Sequence, residues 1–419
     1  MNNWKIVINT YKNVTRTNDS SLRKRKKFYT LVSRQVNNER DDNLARLAKG
    51  RGNMPSCRLL YRGPNLPIMD KFCEQLPKIE VHAHLNGSIR LEVLEELRSY
   101  NIQNNIPQMD RTTWFDLSKI FLRSEVPTLS ECFKIFEMSH SVTINPYTVQ
   151  RATESVIEDF ANDNVVYLEL RSTLRSEKGM TKAKYLESII SAVRNCEQKF
   201  PCIIVKLIVS INRKNSIQDA KENVDIAIRY AKAEPDIVVG IDLSGDPHQK
   251  LFTDFIEILN KARKHGLKLT IHFGEILGDK EINDALNFEI DRLGHGTFVH
   301  PDKGGSLQNW KLLLKKKTPV EICITSNLRC RTVDCPEKHH FRLLYSAGHP
   351  VILGTDDKSI FHTSLSSEYK IVQSTFNLSK EELWKLNYNA IDHAFCTECT
   401  KKHLRDLFTS WKKDFMTYL

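Results

Sequence analysis

The sequence lacks a long apolar segment, a phosphate-binding glycine motif and a regular cysteine pattern. Its longest strongly apolar run, 203–211, is interrupted by Lys206 and is too short to span a bilayer. No Walker sequence occurs, and no G-x-G-x-x-G follows the first predicted strand, which argues against a nucleotide-binding doubly wound sheet. The ten cysteines are irregularly spaced and no secretory signal pattern is present, so we expect reduced thiols in a cytosolic protein.

An excess of basic residues is present, but it is confined to the N-terminal region. Residues 1–70 hold 15 of the 62 Lys and Arg residues and 5 of the 51 Asp and Glu residues, so they carry +10 of the net +11. We interpret residues 1–68 as a basic, disordered extension and residues 69–419 as the folded domain. The cluster at 23–27 has the composition of a nuclear signal, a polyanion contact or an organellar presequence. For the folded domain we expect no nucleic-acid partner and no membrane.

The folded domain alternates between strand-like and helix-like patterns. The predicted strands are 79–85, 165–171, 203–211, 237–243, 268–273, 291–294, 320–325 and 351–354. Many are apolar on both faces, which is typical of buried parallel strands. Eight such units predict a (β/α)8 TIM-type barrel, with a helical insertion after the first strand and extra helices after the eighth. An open doubly wound sheet is the alternative.

Reactive side chains occur at the predicted ends of these strands. His82 and His84 lie two residues apart on the first strand, so they project from the same face. Further candidate residues lie at the ends of the fourth, fifth, sixth and eighth strands. Each of them could have a structural explanation by itself, but all would meet at the carboxyl end of a barrel, where active sites of this fold are built. They are Gly245 and Asp246 after the fourth strand, His272 and Glu275 at the fifth, His295 at the sixth, and Asp356 and Asp357 at the eighth.

The types of these residues predict a metal-dependent hydrolase. Three imidazoles (His82, His84, His272) and the carboxylate of Asp356 suit zinc, with one position left for water. A bound divalent metal lowers the pKa of that water toward neutrality. Glu275 is placed to move protons, and His295 is a base or an electrostatic partner for the water. We expect Asp357 to accept a hydrogen bond from the substrate.

Several sequence segments together resemble the adenosine/AMP deaminase family of metal-dependent amidohydrolases. The segments are LPKIEVHAHLNGS (76–88), GIDLSGD (240–246), HFGE (272–275), RLGHG (292–296), SN (326–327) and TDD (355–357). The resemblance runs from about residue 76 to the end of the chain and does not include the extension. The H-x-E…P-C-x-x-C signature of the unrelated cytidine deaminases is absent.

The resemblance implies a role for each matching residue. One zinc ion per subunit would be held by His82, His84, His272 and Asp356. Glu275 would protonate N1 of a purine ring, His295 would assist the attacking water, and Gly245 and Asp357 would hold the base. The reaction would replace the 6-amino substituent of the purine by oxygen.

Two departures from ordinary adenosine deaminases bear on the substrate. Asn86 and Lys358 stand where those enzymes carry an acid and usually a proline, and a neutral amide does not repel a phosphate as a carboxylate would. With ELRSTLR (169–175) and MTK (180–182), these features resemble the branch of the family that converts N6-methyl-AMP to IMP and methylamine. That resemblance places further residues at the nucleotide, namely His84, His140, Ser172, Thr173, Leu174, Arg175 and Asn212, although Asn212 stands where the branch more often has Asp.

Two alternatives remain on the sequence alone. The chain could be a plain adenosine deaminase, producing inosine and ammonia, or a non-catalytic relative of the growth-factor type. The complete set of metal-ligand residues and the missing secretory signal argue against the second alternative. We expect a monomer.

Overall fold

The computed structural model describes residues 68–122 and 129–416. Residues 1–67 lie outside this range, so the predicted basic extension and its boundary with the folded domain stay predictions. In the described ranges, no helix combines the length and apolar composition that a membrane span requires.

Eight parallel strands form a barrel in which each strand pairs with its neighbours in chain order. Their bounds are β1 Lys78–His84, β2 Val165–Thr173, β3 Ile204–Asn212, β4 Val238–Ser244, β5 Lys268–Phe273, β6 Arg292–His295, β7 Val320–Ile322 and β8 Val351–Leu353. The residue after β8 that closes the ring is Asp356, which forms a parallel bridge with Ala83 of β1. The predicted (β/α)8 barrel is confirmed.

Helices surround the barrel and connect its strands. Their bounds are α1 Ile68–Gln75, α2 Leu91–Gln103, α3 Arg111–Phe121, α4 Leu129–Val142, α5 Pro146–Asn162, α6 Lys182–Lys199, α7 Ile217–Ala233, α8 Ile256–Lys264, α9 Asp279–Asn287, α10 Leu307–Lys316, α11 Ile324–Arg329, α12 Phe341–Ser346, α13 Leu365–Phe376, α14 Lys380–Ala390 and α15 Glu398–Met416. Short 3-10 turns are Phe252–Phe255, Pro301–Lys303, Pro336–Lys338 and Ile391–His393. The predicted insertion is α2–α5, and the extra helices are α13–α15.

Local sequence explains where several helices begin. The hydroxyls of Thr181, Ser216 and Ser306 accept hydrogen bonds from backbone N–H groups in the first turns of α6, α7 and α10. Such caps satisfy N–H groups that have no partner inside the helix. They fix the point at which each connection leaves the rim of the barrel.

The seventh strand is shorter than predicted. The pattern at 320–325 predicts strand throughout, but β7 ends at Ile322 and α11 begins at Ile324. A short apolar run fits either a buried strand or a buried helix, and here the buried residues continue into the helix. This early turn carries Ser326 and Asn327 into the site.

Candidate active site

Four side chains from three parts of the barrel meet at its carboxyl end. His82 and His84 project from β1, His272 from β5, and Asp356 follows β8, and one nitrogen or oxygen atom from each lies within 4.8 Å of all the others. His84 Nε2 lies 3.2 Å from His272 Nε2 and 3.4 Å from Asp356 Oδ1. The structure therefore brings together the four residues that the sequence predicts as metal ligands.

The backbone at Asp356 holds this residue against β1. Its N–H donates to the carbonyl of His82, and its carbonyl accepts from the N–H of His84, both at 2.8 Å. Its φ of 59° is unusual for a residue other than glycine, and such strain is often found at functional sites. The contacts that close the barrel thus also position three of the four side chains.

Two buried carboxylates orient the imidazoles. His82 Nδ1 donates to Glu321 Oε2 at 2.6 Å, and His272 Nδ1 donates to Asp242 Oδ1 at 2.9 Å. In a neutral imidazole whose Nδ1 carries the hydrogen, Nε2 presents a lone pair to the cluster. His82 Nε2 is buried and has no hydrogen-bond partner among the described residues, as expected for an atom that binds a cation.

The ionisation of Asp356 also suits a cation. Burial by itself would raise its pKa, but the nearby imidazoles, His82 first among them, outweigh burial and hold the pKa well below its usual range. Burial lowers the pKa of His84 to about 3, which leaves that imidazole neutral. One carboxylate and three imidazoles fit a divalent ion such as zinc.

Glu275 and His295 face the cluster. His295 Nε2 lies 3.8 Å from both Glu275 Oε1 and Asp356 Oδ2, and Glu275 Oε2 has no hydrogen-bond partner among the described residues. Burial raises the pKa of Glu275, so this carboxyl retains a proton to higher pH than an exposed one. Burial lowers the pKa of His295 well below its usual range.

Asp357, Gly245 and Asn212 lie on the same rim. Asp357 packs against Gly87 so closely that a Cβ on that glycine would lie 1.8 Å from Asp357 Oδ1. Gly245 has φ +93° and follows β4, where a Cβ would lie 2.4 Å from Asn212 Oδ1. Asn212 Oδ1 accepts from the N–H of Lys214, so this side chain holds the turn after β3.

Asn86 lies in a cluster of hydroxyl groups. Its Oδ1 accepts from Ser139 and Thr143 at 3.3 and 3.5 Å, and its Nδ2 donates to the Tyr185 hydroxyl at 3.4 Å. Arg175 donates to Thr143 Oγ1 at 2.7 Å and lies 3.3 Å from Glu177. This polar pocket combines contributions from α4, α6 and the end of β2.

The remaining predicted substrate residues have varied surroundings. Ser172 hydrogen-bonds to Tyr185 at 2.9 Å, and Thr173 is half-buried at the end of β2. The side chain of Leu174 lines a small apolar cavity between the barrel and α6. Burial, assisted by Arg175, lowers the pKa of His140 to about 3.

Sequence reasoning missed the ionic layer below the cluster. Glu321 accepts hydrogen bonds from Arg171 at 2.9 Å and Arg292 at 2.6 Å, and Arg171 also reaches Asp242 at 3.2 Å. All four side chains are completely buried. The sequence signal that could have revealed this layer is a charged residue inside an otherwise apolar strand. Charged residues are rarely fully buried unless they are paired.

The barrel and its carboxyl-end cluster of three imidazoles and one carboxylate define the class of metal-dependent hydrolases of the amidohydrolase type. The family model described as adenosine deaminase matches residues 77–411. The chain belongs to the adenosine deaminase family. This family is metal-dependent, and the chain is a hydrolytic deaminase that acts on purine carbon–nitrogen bonds.

Known relatives extend over most of the chain. It is 39% identical over 350 residues to the N6-methyl-AMP deaminase of Danio rerio, a match that covers 83% of this chain and 98% of that protein. The N6-methyl-AMP deaminase of Homo sapiens is 39% identical over 342 residues, covering 81% and 94%. The crystal structure of Arabidopsis ADAL complexed with IMP superposes with a TM-score of 0.73 at 36% identity, covering 82% of this chain and 99% of that one.

Proposed function

We propose that this chain is a hydrolytic deaminase of N6-substituted purine nucleoside monophosphates, converting N6-methyl-AMP and water to IMP and methylamine. The observation that carries the proposal is the convergence of His82, His84, His272 and Asp356 at the barrel rim beside Glu275. The names of the relatives from Danio rerio and Homo sapiens, and the IMP in the Arabidopsis structure, support the choice of substrate.

The four clustered residues would hold one divalent metal ion, which we propose to be zinc. A bound zinc ion lowers the pKa of water and so supplies a nucleophile at neutral pH. Glu321 and Asp242 accept from Nδ1 of His82 and His272 and would keep the Nε2 atoms of both rings directed at such an ion. Ser326 donates to Asp356 Oδ2 at 2.7 Å and fixes the rotation of that carboxylate.

Glu275 would supply a proton to purine N1. Its Oε2 lacks a hydrogen-bond partner in the described part of the chain and its pKa is raised, so a proton there is both retained and available. Protonation of N1 draws electrons from C6 and favours addition of water at that carbon. One proton of the water moves to N6, so that methylamine leaves from the tetrahedral carbon and the 6-oxo group of IMP forms. The other proton of the water restores the carboxyl group of Glu275, and N1 keeps the proton that it received.

The pocket around Asn86 would receive the 5′-phosphate. Its hydroxyl groups can donate to phosphate oxygens, and Arg175 provides a cation next to them. Arg175 is paired with Glu177 in the structure, so a phosphate would share or replace that partner. Gly245 and Asp357 would lie along the base, and His84 would lie between the base and the metal.

We propose that the protein acts as a monomer in the cytosol, in purine nucleotide metabolism. Its metal ligands and Glu275 all come from one chain, so the site needs no second subunit.

A steady-state comparison of four substrates on purified, zinc-loaded protein tests the substrate. The substrates are AMP, N6-methyl-AMP, adenosine and N6-methyladenosine. We expect the highest kcat/KM for N6-methyl-AMP. A preference for adenosine would refute the nucleotide assignment, and no turnover of any of the four would refute the deaminase.

A further inference from the structure

A chain of hydrogen bonds begins at the first turn of α12 and ends at Nδ1 of His295. The chain runs from the backbone of Phe341 through His339 and Asn327 to His295. His339, Asn327 and His295 are each at most 3% exposed, so these bonds do not compete with bulk water. The direction of each bond can be derived from one group whose hydrogen is certain.

That group is the backbone N–H of Phe341, which lies 3.0 Å from His339 Nδ1. A backbone N–H can only donate, so His339 Nδ1 must accept. An imidazole whose Nδ1 accepts is neutral and carries its hydrogen on Nε2. Burial also lowers the pKa of His339 well below its usual range, which agrees with a neutral ring.

The amide of Asn327 takes its orientation from His339. His339 Nε2 therefore donates to Asn327 Oδ1 at 3.0 Å, which leaves Asn327 Nδ2 facing His295 Nδ1 at 3.4 Å. An amide nitrogen is a donor, so His295 Nδ1 must accept. The backbone carbonyl of Asn327 is also held, because it accepts from the N–H groups of Thr332 and Val333.

The hydrogen of His295 therefore lies on Nε2, which points into the site. There, Nε2 faces two carboxylate oxygens, Glu275 Oε1 and Asp356 Oδ2, each at 3.8 Å. His340 holds the backbone of the same residue by donating to the His295 carbonyl at 2.8 Å. His82 and His272 have the opposite arrangement, since their Nδ1 atoms carry the hydrogen.

We infer that His339 and Asn327 are positioning residues that fix His295 as a neutral imidazole with its hydrogen on Nε2. His295 then meets the attacking water as a hydrogen-bond donor that stabilises negative charge on oxygen, and not as a base that removes its proton. The statement about water rests on the proposed function, whereas the tautomer of His295 follows from the hydrogen bonds alone. Of the two roles predicted for His295 from the sequence, this selects the electrostatic one.

The tautomer can be observed directly by NMR of the zinc-loaded protein labelled with ¹⁵N-histidine. Two-bond ¹H–¹⁵N correlations distinguish a protonated from an unprotonated ring nitrogen, and the signals missing from His295→Gln identify this residue. We expect His295 to show protonated Nε2 and bare Nδ1. In Asn327→Asp the new carboxylate accepts, so the hydrogen should move to Nδ1. A wild-type His295 protonated on Nδ1, or on both nitrogens, would overturn the inference, as would an unchanged tautomer in Asn327→Asp.

A pair of substitutions at His339 separates positioning from packing. Gln can place an amide N–H where His339 Nε2 donates, whereas Leu fills space without a donor. We expect His339→Gln to keep kcat within about 3-fold of wild type and His339→Leu to lower it about 10- to 100-fold, with KM and zinc content unchanged. Equal kcat losses in both variants would overturn the positioning role. If the proposed substrates are not turned over but the NMR result holds, the proposed function fails and the tautomer assignment stands.

Discussion

His82 and Glu321 lie 239 positions apart in the chain, yet their side chains form a 2.6 Å hydrogen bond inside the barrel. Burial by itself would raise the pKa of Glu321, but Arg171 and Arg292 outweigh burial and hold the pKa well below its usual range. An ionised Glu321 can only accept, so His82 must donate from Nδ1 and turn its Nε2 lone pair to the cluster. The ionic layer therefore controls the form of an imidazole that we assign to the metal.

Glu321→Gln should weaken metal binding about 10- to 100-fold, because the neutral amide is a poorer acceptor for His82 Nδ1. It should also destabilise the fold by about 3 kcal/mol or more, since two buried arginines lose a charged partner. Competition with a chelator measures the first effect, and denaturant titration measures the second. Glu398→Gln, at a surface position, is the matched control. An unchanged metal affinity in Glu321→Gln would contradict the role of this bond.

Asn86→Asp should lower kcat/KM for N6-methyl-AMP by about 10-fold or more, because a carboxylate would repel the phosphate across a short distance. The value for adenosine should not fall, since adenosine carries no phosphate. Steady-state kinetics with both substrates checks this ratio. The same change at exposed Asn287 in α9 controls for the added charge. An equal loss for both substrates would show that Asn86 does not face the phosphate.

Arg175→Gln should raise KM for the monophosphate about 10-fold or more while changing kcat little, because it removes a cation that binds ground state and transition state alike. Arg151, which pairs with Glu96 on the surface, provides a control with the same change of charge. Turnover of nucleoside and nucleotide by both variants is the measurement. A KM for N6-methyl-AMP that matches the Arg151→Gln control would exclude Arg175 from the phosphate site.

Buried His340 should make the fold less stable in mild acid. Burial lowers its pKa to about 4, whereas an unfolded histidine titrates near 6.5. The unfolded chain therefore binds more protons between these values, so the stability present above about pH 6.5 is lost as pH falls toward 4. When the pH is lowered from 7 to 5.5, the free energy of unfolding of His340→Gln should fall by about 1 kcal/mol less than that of wild type.

Denaturant titration at the two pH values measures that difference. The substitution of exposed His265 by Gln is the control, and we expect it to follow wild type. If His340→Gln lost as much stability as wild type, His340 would not be held neutral in the fold.

Local patterns in the sequence were sufficient to predict the barrel and the meeting of the four candidate ligands at its rim. Apolar strands in regular alternation with helices predict parallel pairing, and reactive residues at strand ends then meet at one rim. The structure brings together the four residues that these patterns place at the rim, namely His82, His84, His272 and Asp356.

The ionic layer and the Asn86 pocket could not be predicted in the same way. A barrel strand is buried on both faces, so hydrophobic alternation does not reveal that Arg171 and Glu321 point inward to each other. Thr143, directly after α4, and Tyr185, in α6, reach the pocket from distant parts of the chain, and nothing in their local sequence marks them. The tautomer of His295 depends on contacts from α11 and the start of α12, which only the assembled fold provides.

The most direct test of the metal centre is a titration of metal-stripped protein with Zn²⁺, following N6-methyl-AMP turnover and bound zinc together. We predict that the stripped protein is inactive and that activity rises linearly and levels off at one zinc per chain. His272→Ala should take up far less zinc under the same conditions. Full activity without metal, or zinc uptake in His272→Ala equal to wild type, would contradict the account.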